Sequence, residues 1–522
     1  MMPAQRSTPG PRLSPPQVKA PDIRDGSFHP AEFLQRLRAA AVADRLALGE
    51  IGHAPLPPTL RRLEYVCDQD DLTAFAGMPA FMQFAYAAGL SDGLAGTPLP
   101  RRRDALYPPG TMCEVIVALL AAGLERVSHI DDVTHDPGLC AALGLERLPD
   151  QATCSRFFTD ATTATVNFLA EFNQRFSAAA LSFAERQPRL IVDVDTRDVP
   201  VYGKQEGSTS SPRKDGDRIY TFEAVTLRNG RDLLAGELLV GATHPAPLFP
   251  ARLQAVLAQV QHQTKEAIFC ADAAWYADYI LRDIEQADAD PAVPCRCRYA
   301  IRAQVRDGLK RAVVAVPEEA WERYDEHLEV AEVEFAFTQT RAPGGHTVRA
   351  GHHPRRYVVT RQQLPERDDA QETLLAAPRY SYEAIVTNLD WGRKKIVQLY
   401  NKRATVESIL KESALGFHMD SLPSGSFAGN GVFCQLLVLA YNLVNLFRRL
   451  CLPEEAQRQH VPGLRRRLLG VPGRVARAEE GSRLRCSRLG PHVSWLEHLL
   501  VALAGWLAPP GCAPLPAAIG AG

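Results

Sequence analysis

The sequence has little that would suit a secreted protein or a zinc-binding module. Its eleven cysteines include no C-x-x-C pair, and Cys295 and Cys297 form a C-x-C step that no second pair follows at zinc-finger spacing. An odd, scattered set of thiols is typical of reduced cysteines in a cytoplasmic protein. The N-terminal residues are rich in proline, arginine and serine and contain no apolar signal region. We therefore expect a cytoplasmic protein with buried, unpaired thiols.

A membrane span and an overall excess of charge are also missing. The longest apolar stretch, residues 431–447, includes a glutamine, a tyrosine and two asparagines, so it is too short and polar to cross a bilayer. We expect a buried helix there. The net charge is −1, which by itself neither favours nor excludes a nucleic-acid partner. Its distribution is more informative, because residues 441–490 hold eleven arginines and four glutamates, a local net charge of +7.

The pattern along the 522 residues predicts several domains. Pattern changes divide the chain into six segments. They are a tail with one amphipathic helix (Pro30–Gly49) at 1–59, a helical region at 60–187, the first part of an α/β core at 188–303, a β-rich insertion at 304–380, the last part of the core at 381–450 and a basic C-terminal region at 451–522.

The predicted core is a mixed sheet flanked by helices. Alternating, β-branched segments predict strands at Arg189–Asp195, Tyr220–Leu227, Leu233–Val240, Ala267–Asp272 and Cys295–Ala303, with helices before and after the fourth. The turn Arg228-Asn229-Gly230 joins the second strand to the third. This β-β-β-α-β-α-β order is the order of a ribonuclease H-like fold, an α/β fold class.

One predicted helix, which begins at Gly392, places four polar side chains on a single face. Tyr400, Arg403, Glu407 and Lys411 follow one another at i, i+3, i+7 and i+11. A stripe with a hydroxyl, a guanidinium, a carboxylate and an ammonium is not a simple core face. On spacing alone, Arg403 and Glu407 also fit an ordinary exposed ion pair worth about 0.3–0.5 kcal/mol.

Two aspartates stand at the ends of predicted strands, Asp195 after the first and Asp272 after the fourth. Two strand-borne aspartates and the helix-borne Glu407 are the oxygen ligands that a pair of Mg²⁺ ions needs for phosphoryl transfer, with Mn²⁺ as a substitute. Asp193 lies on the same strand face as Asp195, so either could be the ligand. An isolated aspartate after a strand is more often a turn or cap residue.

The set and order of these motifs resemble the insertion-sequence DDE transposases, in the DDE group 1 branch whose last catalytic helix carries Tyr-x2-Arg-x3-Glu. The motifs are Asp193-Val-Asp195-Thr, Cys270-Ala-Asp272, Ala384-Ile-Val-Thr-Asn388-Leu, Tyr400 through Lys411 and Phe427-Ala-Gly-Asn430. The resemblance places Asp195 in the Asp-Thr step and leaves Asp193 as a supporting neighbour.

The resemblance implies a metal-dependent DNA transposase. Such an enzyme binds double-stranded DNA at the ends of a mobile element, hydrolyses a strand at each end and joins the 3′ ends to target DNA. The helical region at 60–187 would bind the element ends, and residues 188–303 and 381–450 would form the catalytic core. Asp195, Asp272 and Glu407 would hold two Mg²⁺ ions, and Tyr400, Arg403 and Lys411 would contact DNA. The assembly would be a homodimer in the cytoplasm, associated with the nucleoid and with no membrane partner.

Two other functions are compatible with the sequence: a catalytically silent relative that binds DNA and regulates, and a host nuclease on the same fold. The basic segment also allows two interpretations. Arg465, Arg466 and Arg467 either contact the DNA backbone or form a solvated helix face.

Overall fold

The computed structural model describes residues 35, 66 and 68–507, with gaps at 101–104, 184–185, 214–215, 338, 342–346, 350–352, 365–379, 479–480, 488–489 and 491. Residues 1–71 form one unit and residues 72–522 another. The helix predicted at Pro30–Gly49 lies outside the described residues except for one position. All the strands and helices named below belong to the second unit.

The strands of this unit range in length from 2 to 15 residues. In chain order they are β1 (Leu72–Thr73), β2 (Gln187–Val201), β3 (Thr209–Ser210), β4 (Arg218–Leu227), β5 (Asp232–Leu239), β6 (Thr264–Ala271), β7 (Arg296–Ala303), β8 (Glu322–Arg323), β9 (Leu328–Ala336), β10 (Gln339–Arg341), β11 (Thr347–Arg349), β12 (Pro354–Gln363), β13 (Tyr380–Thr387), β14 (Gly473–Ala478) and β15 (Gly481–Cys486).

Helices precede, separate and follow these strands. They are α1 (Met78–Ala87), α2 (Leu90–Leu94), α3 (Pro109–Ala122), α4 (Pro137–Leu143), α5 (Gln151–Thr159), α6 (Thr163–Ser182), α7 (Phe249–Val260), α8 (Asp278–Ala289), α9 (Asp307–Val314), α10 (Arg393–Asn401), α11 (Ala404–Gly416), α12 (Phe427–Cys451), α13 (Glu454–Gln457), α14 (Val461–Leu464) and α15 (His492–Leu507).

Ten strands form one mixed sheet in the order β3-β4-β2-β6-β7-β13-β12-β9-β8, with β5 also paired to β4. The pairs β2–β6 and β6–β7 are parallel, and β2–β4 and β4–β5 are antiparallel. The sequence β5-β4-β2-β6-β7 across the sheet is the strand order of a ribonuclease H-like fold. The fold class predicted from the sequence is confirmed.

The predicted β-rich insertion does not form a sheet of its own. Strand β12 pairs with β9 on one side and with β13 of the core on the other, so this segment extends the central sheet. Val330, Val358 and Val359 of these strands are fully buried, which makes them interior strands rather than a surface module. Within the described residues, β10 and β11 pair only with each other as a separate hairpin.

The helical region predicted at 60–187 is likewise not separate from the part of the chain that forms the sheet. Side chains from α1, α3, α5 and α6 share one hydrophobic core with α12. Phe81 and Phe84 of α1 contact the ring of Phe447 on α12, and Phe158 of α5 contacts Phe433. The N-terminal helices therefore stabilise the same body that carries the sheet.

Helix α12 is the long apolar segment predicted to be buried. It has the length and composition of a membrane span, but 89% of its most apolar window is buried inside the protein. Its polar residues contact the edge strand β5. Gln435 donates to the carbonyl of Gly236, and Asn442 bonds both backbone groups of Leu233. These amides satisfy backbone groups that an uncovered edge strand would leave unpaired.

Candidate active site

Asp195 and Asp272 occupy matching positions on neighbouring parallel strands. The register pairs Asp193 with Cys270 and Val194 with Ala271. The next residue is Asp195 on β2, and on the neighbouring strand it is Asp272, which directly follows β6. Neighbouring strands lie about 4.8 Å apart, and residues in register project to the same face. The structure thus brings these two predicted carboxylates together.

The two aspartates differ in backbone setting. Strand β2 was predicted to end at Asp195 but continues to Val201 because it pairs with β4 beyond that point. Asp272 does end its strand, and its Oδ1 accepts a hydrogen bond from Ala274 N at 2.8 Å. This bond begins a 3₁₀ turn at Ala273–Trp275 that buries the Trp275 ring completely. Trp275 therefore anchors the loop that holds Asp272.

Arg403 covers the Asp195 carboxylate. Its Nη2 lies 3.0 Å from Asp195 Oδ1 and donates to the Val194 carbonyl at 3.1 Å. The Arg403 side chain is 12% exposed and the Asp195 side chain 15%, so the pair is largely buried but still accessible to solvent. Arg403 Nε is buried and makes no hydrogen bond to a described residue. Arg403 thus keeps one unpaired, buried donor beside the Asp195 carboxylate.

The electrostatics of the site follow from this partial burial. Burial raises the pKa of the Asp195 carboxyl above its usual value, the Arg403 guanidinium opposes the rise and the Asp272 charge adds to it. Burial acts against the charge on Arg403, but Asp195 and other neighbouring charges raise the pKa of that guanidinium overall. The Asp195 carboxylate is therefore electrostatically unfavourable as it stands, and additional positive charge would stabilise it.

Asp193 has a different partner and no exposed surface. Arg228 holds it with two hydrogen bonds, one of 2.7 Å from Nε to Oδ2 and one from Nη2 to Oδ1. The third arginine nitrogen, Nη1, donates to the Leu399 carbonyl at 2.7 Å. Side-chain exposure is 0% for Asp193 and 7% for Arg228. Asp193 therefore links β2 to the end of α10, which supports Asp195 as the available ligand.

The helix predicted to run through Tyr400, Arg403 and Glu407 is two helices. Helix α10 ends at Asn401 and α11 begins at Ala404. At the junction the amides of Arg403, Thr405 and Val406 donate to the carbonyls three residues earlier, which is 3₁₀ geometry. Each residue in that geometry advances the chain by about 20° more than in an α-helix. The prediction of one continuous stripe was wrong because of this overwound junction.

Glu407 consequently does not join the two aspartates. It is exposed on α11, and so is Lys411 one turn further on. Within the described parts of the chain, no group of three or more His, Cys, Asp or Glu side chains is placed to hold a metal ion. The structure brings together Asp195, Asp272 and Arg403, and places Glu407 outside that set.

Tyr400 lies on the inner side of the junction. Its hydroxyl donates to the carbonyl of Ala271 at 3.4 Å, directly before Asp272, and burial raises the pKa of this phenol to about 12. Its ring packs against a small core between the sheet and α10. Tyr400 thus connects α10 to the end of β6.

Sequence reasoning missed two residues that position these elements. Arg228 had only the role of a turn residue, yet it connects β2 to α10. Glu412, buried on α11, accepts from the Val461 amide at 2.9 Å and from Arg231 at 3.1 Å. No local sequence pattern singles them out, because Lys411 stands next to Glu412 and Asp232 lies four residues after Arg228.

Comparison with known proteins gives the family. The family model described as Transposase DDE domain group 1 matches residues 59–506 of the 522. The chain belongs to this transposase family. No functionally curated protein matches it. A cryo-electron microscopy structure described as the piggyBac transposase synaptic complex with hairpin DNA has a TM-score of 0.42 and 9% identity, covering 83% of this chain and 82% of that chain.

The three arginines predicted to contact DNA in this transposase are not equivalent. Arg465 is largely buried: it donates to the carbonyls of Leu120 and Ala121 at the end of α3, and its guanidinium lies 5.1 Å from the Phe417 ring. Burial lowers the pKa of Arg465 to about 10. Arg467 lies over Trp495, and Arg466 is exposed. Arg465 caps a helix, so the prediction of a DNA contact does not hold for it.

The donor set suits a divalent metal in part. Asp195 and Asp272 offer carboxylate oxygens from adjacent strands, and Mg²⁺ prefers one or two carboxylates together with water and phosphate oxygens. The raised pKa of Asp195 shows a carboxylate that positive charge would stabilise. Glu407 would complete the predicted set only after α11 turns, because it lies outside the set in this conformation.

Proposed function

We propose that this transposase cuts the ends of a mobile DNA element by metal-dependent hydrolysis and joins the 3′ ends to target DNA. The observation that carries the proposal is the placement of Asp195 and Asp272 in register on adjacent parallel strands. Family membership supplies the class of reaction, and the partly exposed carboxylates supply the place for it.

In this proposal Asp195, Asp272 and Glu407 would hold Mg²⁺, with Mn²⁺ as a substitute. The bound metal would activate the nucleophilic oxygen and stabilise the leaving oxygen. Glu407 reaches the site when the overwound junction before α11 relaxes toward α-helical geometry. The proposal is supported by the position of this junction, because a 3₁₀ stretch within a helix often marks a functional hinge.

Arg403 exchanges partners when DNA binds. A DNA phosphate offers two oxygens to the guanidinium fork, whereas the Asp195 contact uses one nitrogen. Transfer of Arg403 to the phosphate releases the Asp195 carboxylate at the moment when substrate is present. Tyr400 keeps the junction seated against β6, and the exposed Lys411 contacts the DNA backbone beside it.

The test is cleavage of labelled element-end DNA, with binding followed in parallel by gel shift. Asp195→Asn, Asp272→Asn and Glu407→Gln should each abolish Mg²⁺-dependent nicking and leave DNA binding largely intact. Nicking that persists in one variant would remove that residue from the metal site. Strand transfer into a target plasmid separates a transposase from a nuclease, which would nick without joining. Two ends must be cut together, so the active species on DNA should be a homodimer by sedimentation.

One observation favours the second candidate, a silent relative that binds DNA without turnover. Glu407 lies outside the pair formed by Asp195 and Asp272. If α11 is fixed in this orientation, wild-type protein should shift end DNA but never nick it with Mg²⁺ or Mn²⁺. Wild-type nicking that Glu407→Gln removes would instead show that α11 turns.

A further inference from the structure

The basic C-terminal segment resolves into arginines with quite different surroundings. Arg448 and Arg449 bond to groups within the protein, the first to Gln459 and Asn445, the second to Asp232 and Gly230. Arg458 pairs with Glu454, and Arg465 caps α3. These four guanidinium groups already have partners, so they do not account for a surface that binds a polyanion.

The hairpin of β14 and β15 holds arginines in a different arrangement. The register places Arg474 directly opposite Arg485, and Arg483 stands two residues from Arg485 on the same strand. Side chains two apart on a strand, and side chains directly opposite, share a face. All three are exposed, so one face of this hairpin carries three guanidinium groups.

The opposite face of the hairpin holds it against the body of the protein. Val475 and Leu484 pair across the strands on that face and are half-buried. Strand β14 also pairs with β1, and a Cβ at Gly473 would lie 2.6 Å from that of Ala76. The arginine face is therefore presented by an anchored three-stranded sheet.

Opposed arginines bring two guanidinium groups to the same part of this face. Directly opposite side chains have Cβ atoms about 4.5–5.5 Å apart. Successive phosphates along a DNA strand are negative charges that arginine engages with its planar fork, so a polyanion suits this face. A two-stranded ribbon also matches the dimensions of the DNA major groove.

We infer that the exposed face of the β14–β15 hairpin, formed by Arg474, Arg483 and Arg485, binds the phosphate backbone of double-stranded DNA. This inference rests on the proposed function and names the surface that holds the substrate outside the cleavage site. Arginines on phosphates carry no base information, so the contact is independent of sequence. The hairpin holds any duplex and leaves recognition of element ends to other parts of the protein.

The experiment measures DNA affinity against salt for the full chain. Replacing Arg474, Arg483 and Arg485 with Gln should weaken element-end and random DNA by similar factors. It should also reduce the slope of log K against log salt by about 2–3, since each lost phosphate contact removes about 0.9. The matched control replaces Arg175, Arg311 and Arg323, which are exposed elsewhere, with Gln. It removes the same charge and should change the slope by less than about 1.

Three outcomes would overturn the inference: an unchanged slope in the hairpin variant, an equal reduction in the control, or a loss confined to element-end DNA. Two further variants serve if the triple Gln variant misfolds. Arg485→Gln alone should reduce the slope by about 0.9, and replacing all three arginines with Lys should retain most of the slope. Wild-type protein that binds no DNA would refute the proposed function itself. Normal wild-type binding with an unaffected hairpin variant would refute only the inference.

Discussion

Two aspartates on one strand, two residues apart and facing the same way, have opposite relations to the arginines beside them. Asp193 and Arg228 form a closed pair: both are buried, both carboxylate oxygens are engaged and the remaining guanidinium nitrogen holds a helix carbonyl. Asp195 and Arg403 form an open pair, with one contact, partial exposure and an unsatisfied Nε. The difference separates a charge pair that holds the fold from one that is available for exchange.

Their places in the sheet explain the difference. Asp193 lies where β2 is paired on both sides, with β6 and with β4, so neighbouring backbone excludes water around it. Asp195 lies one pleat further on, where the pairing with β6 has stopped and only β4 remains alongside. The end of a parallel pairing opens a crevice, and such crevices at the carboxyl ends of strands are where ligands bind in α/β sheets.

The largest expected effect is on catalysis by the open pair. Asp195→Asn should reduce nicking of element-end DNA by roughly 1,000-fold or more, because metal stabilisation of the transition state is worth several kcal/mol. Gel-shift affinity and the thermal midpoint should stay near wild type, since the residue faces the crevice. Asp272→Asn is the matched variant on the neighbouring strand. Nicking at the wild-type rate in either would show that the crevice is not the cleavage site.

Disrupting the closed pair should lower the stability of the fold rather than the rate of DNA cleavage. Asp193→Asn leaves the Arg228 guanidinium buried without its counter-charge, which should cost about 3–5 kcal/mol of unfolding free energy. Urea denaturation measures this, and the protein that remains folded should nick DNA far better than Asp195→Asn. The double variant with Arg228→Gln should lose less than the sum of the single losses, by about 0.5–3 kcal/mol. If Asp193→Asn and Asp195→Asn lost nicking equally at unchanged stability, the closed and open pairs would not differ in role.

Arg403 tests whether the open pair exchanges partners. Arg403→Gln should slow nicking by roughly 10–100-fold, the value of one charge-assisted hydrogen bond of about 1.5–3 kcal/mol. Stability should fall by about 1.5–3 kcal/mol, less than for the fully buried pair of Asp193 and Arg228, because Arg403 and Asp195 are 12% and 15% exposed. Without DNA, the variant should bind Mn²⁺ more tightly than wild type in electron paramagnetic resonance titrations, because the Asp195 carboxylate is no longer engaged.

The control for Arg403 is Lys411→Gln, which removes a positive charge from the following helix without any contact to Asp195. It should leave Mn²⁺ affinity near that of wild type. If Arg403→Gln and Lys411→Gln tighten Mn²⁺ binding equally, the effect is general electrostatics, and Arg403 does not guard the carboxylate. Wild-type nicking kinetics in Arg403→Gln would reject a phosphate contact as well.

The sequence predicted the features that depend on local pattern. Strand alternation located β2, β6 and β7, and their order gave the fold class and the meeting of Asp195 with Asp272. It did not predict the break between α10 and α11, because the backbone there stays close to helical dihedrals and only the tertiary contacts of Tyr400, Arg403 and Glu412 select the overwound junction. The same holds for Arg465, whose partners lie some 345 residues earlier in the chain.

The smallest expected effect is the pH dependence of the stability that Asp195 contributes. Burial raises the pKa of Asp195 in the folded protein above its usual value, so the folded state binds this proton more readily than the unfolded state does. The stability it contributes is complete below the ordinary aspartate pKa and is lost as the pH rises through the raised pKa. Above that pH the ionised carboxylate costs free energy that Arg403 only partly offsets.

Asp195→Asn removes the titrating proton and this cost together. Its urea midpoint relative to wild type should therefore rise as the pH increases from about 4 to 8, while Asp193→Asn should stay below wild type at pH 7 because it leaves Arg228 unpaired. Measuring both variants against wild type cancels, to first approximation, the titration of every other group. A gap between Asp195→Asn and wild type that shrinks with rising pH would mean that the bond to Arg403 outweighs burial. Arg403 would then hold the Asp195 carboxylate firmly, and this carboxylate would not be available for exchange.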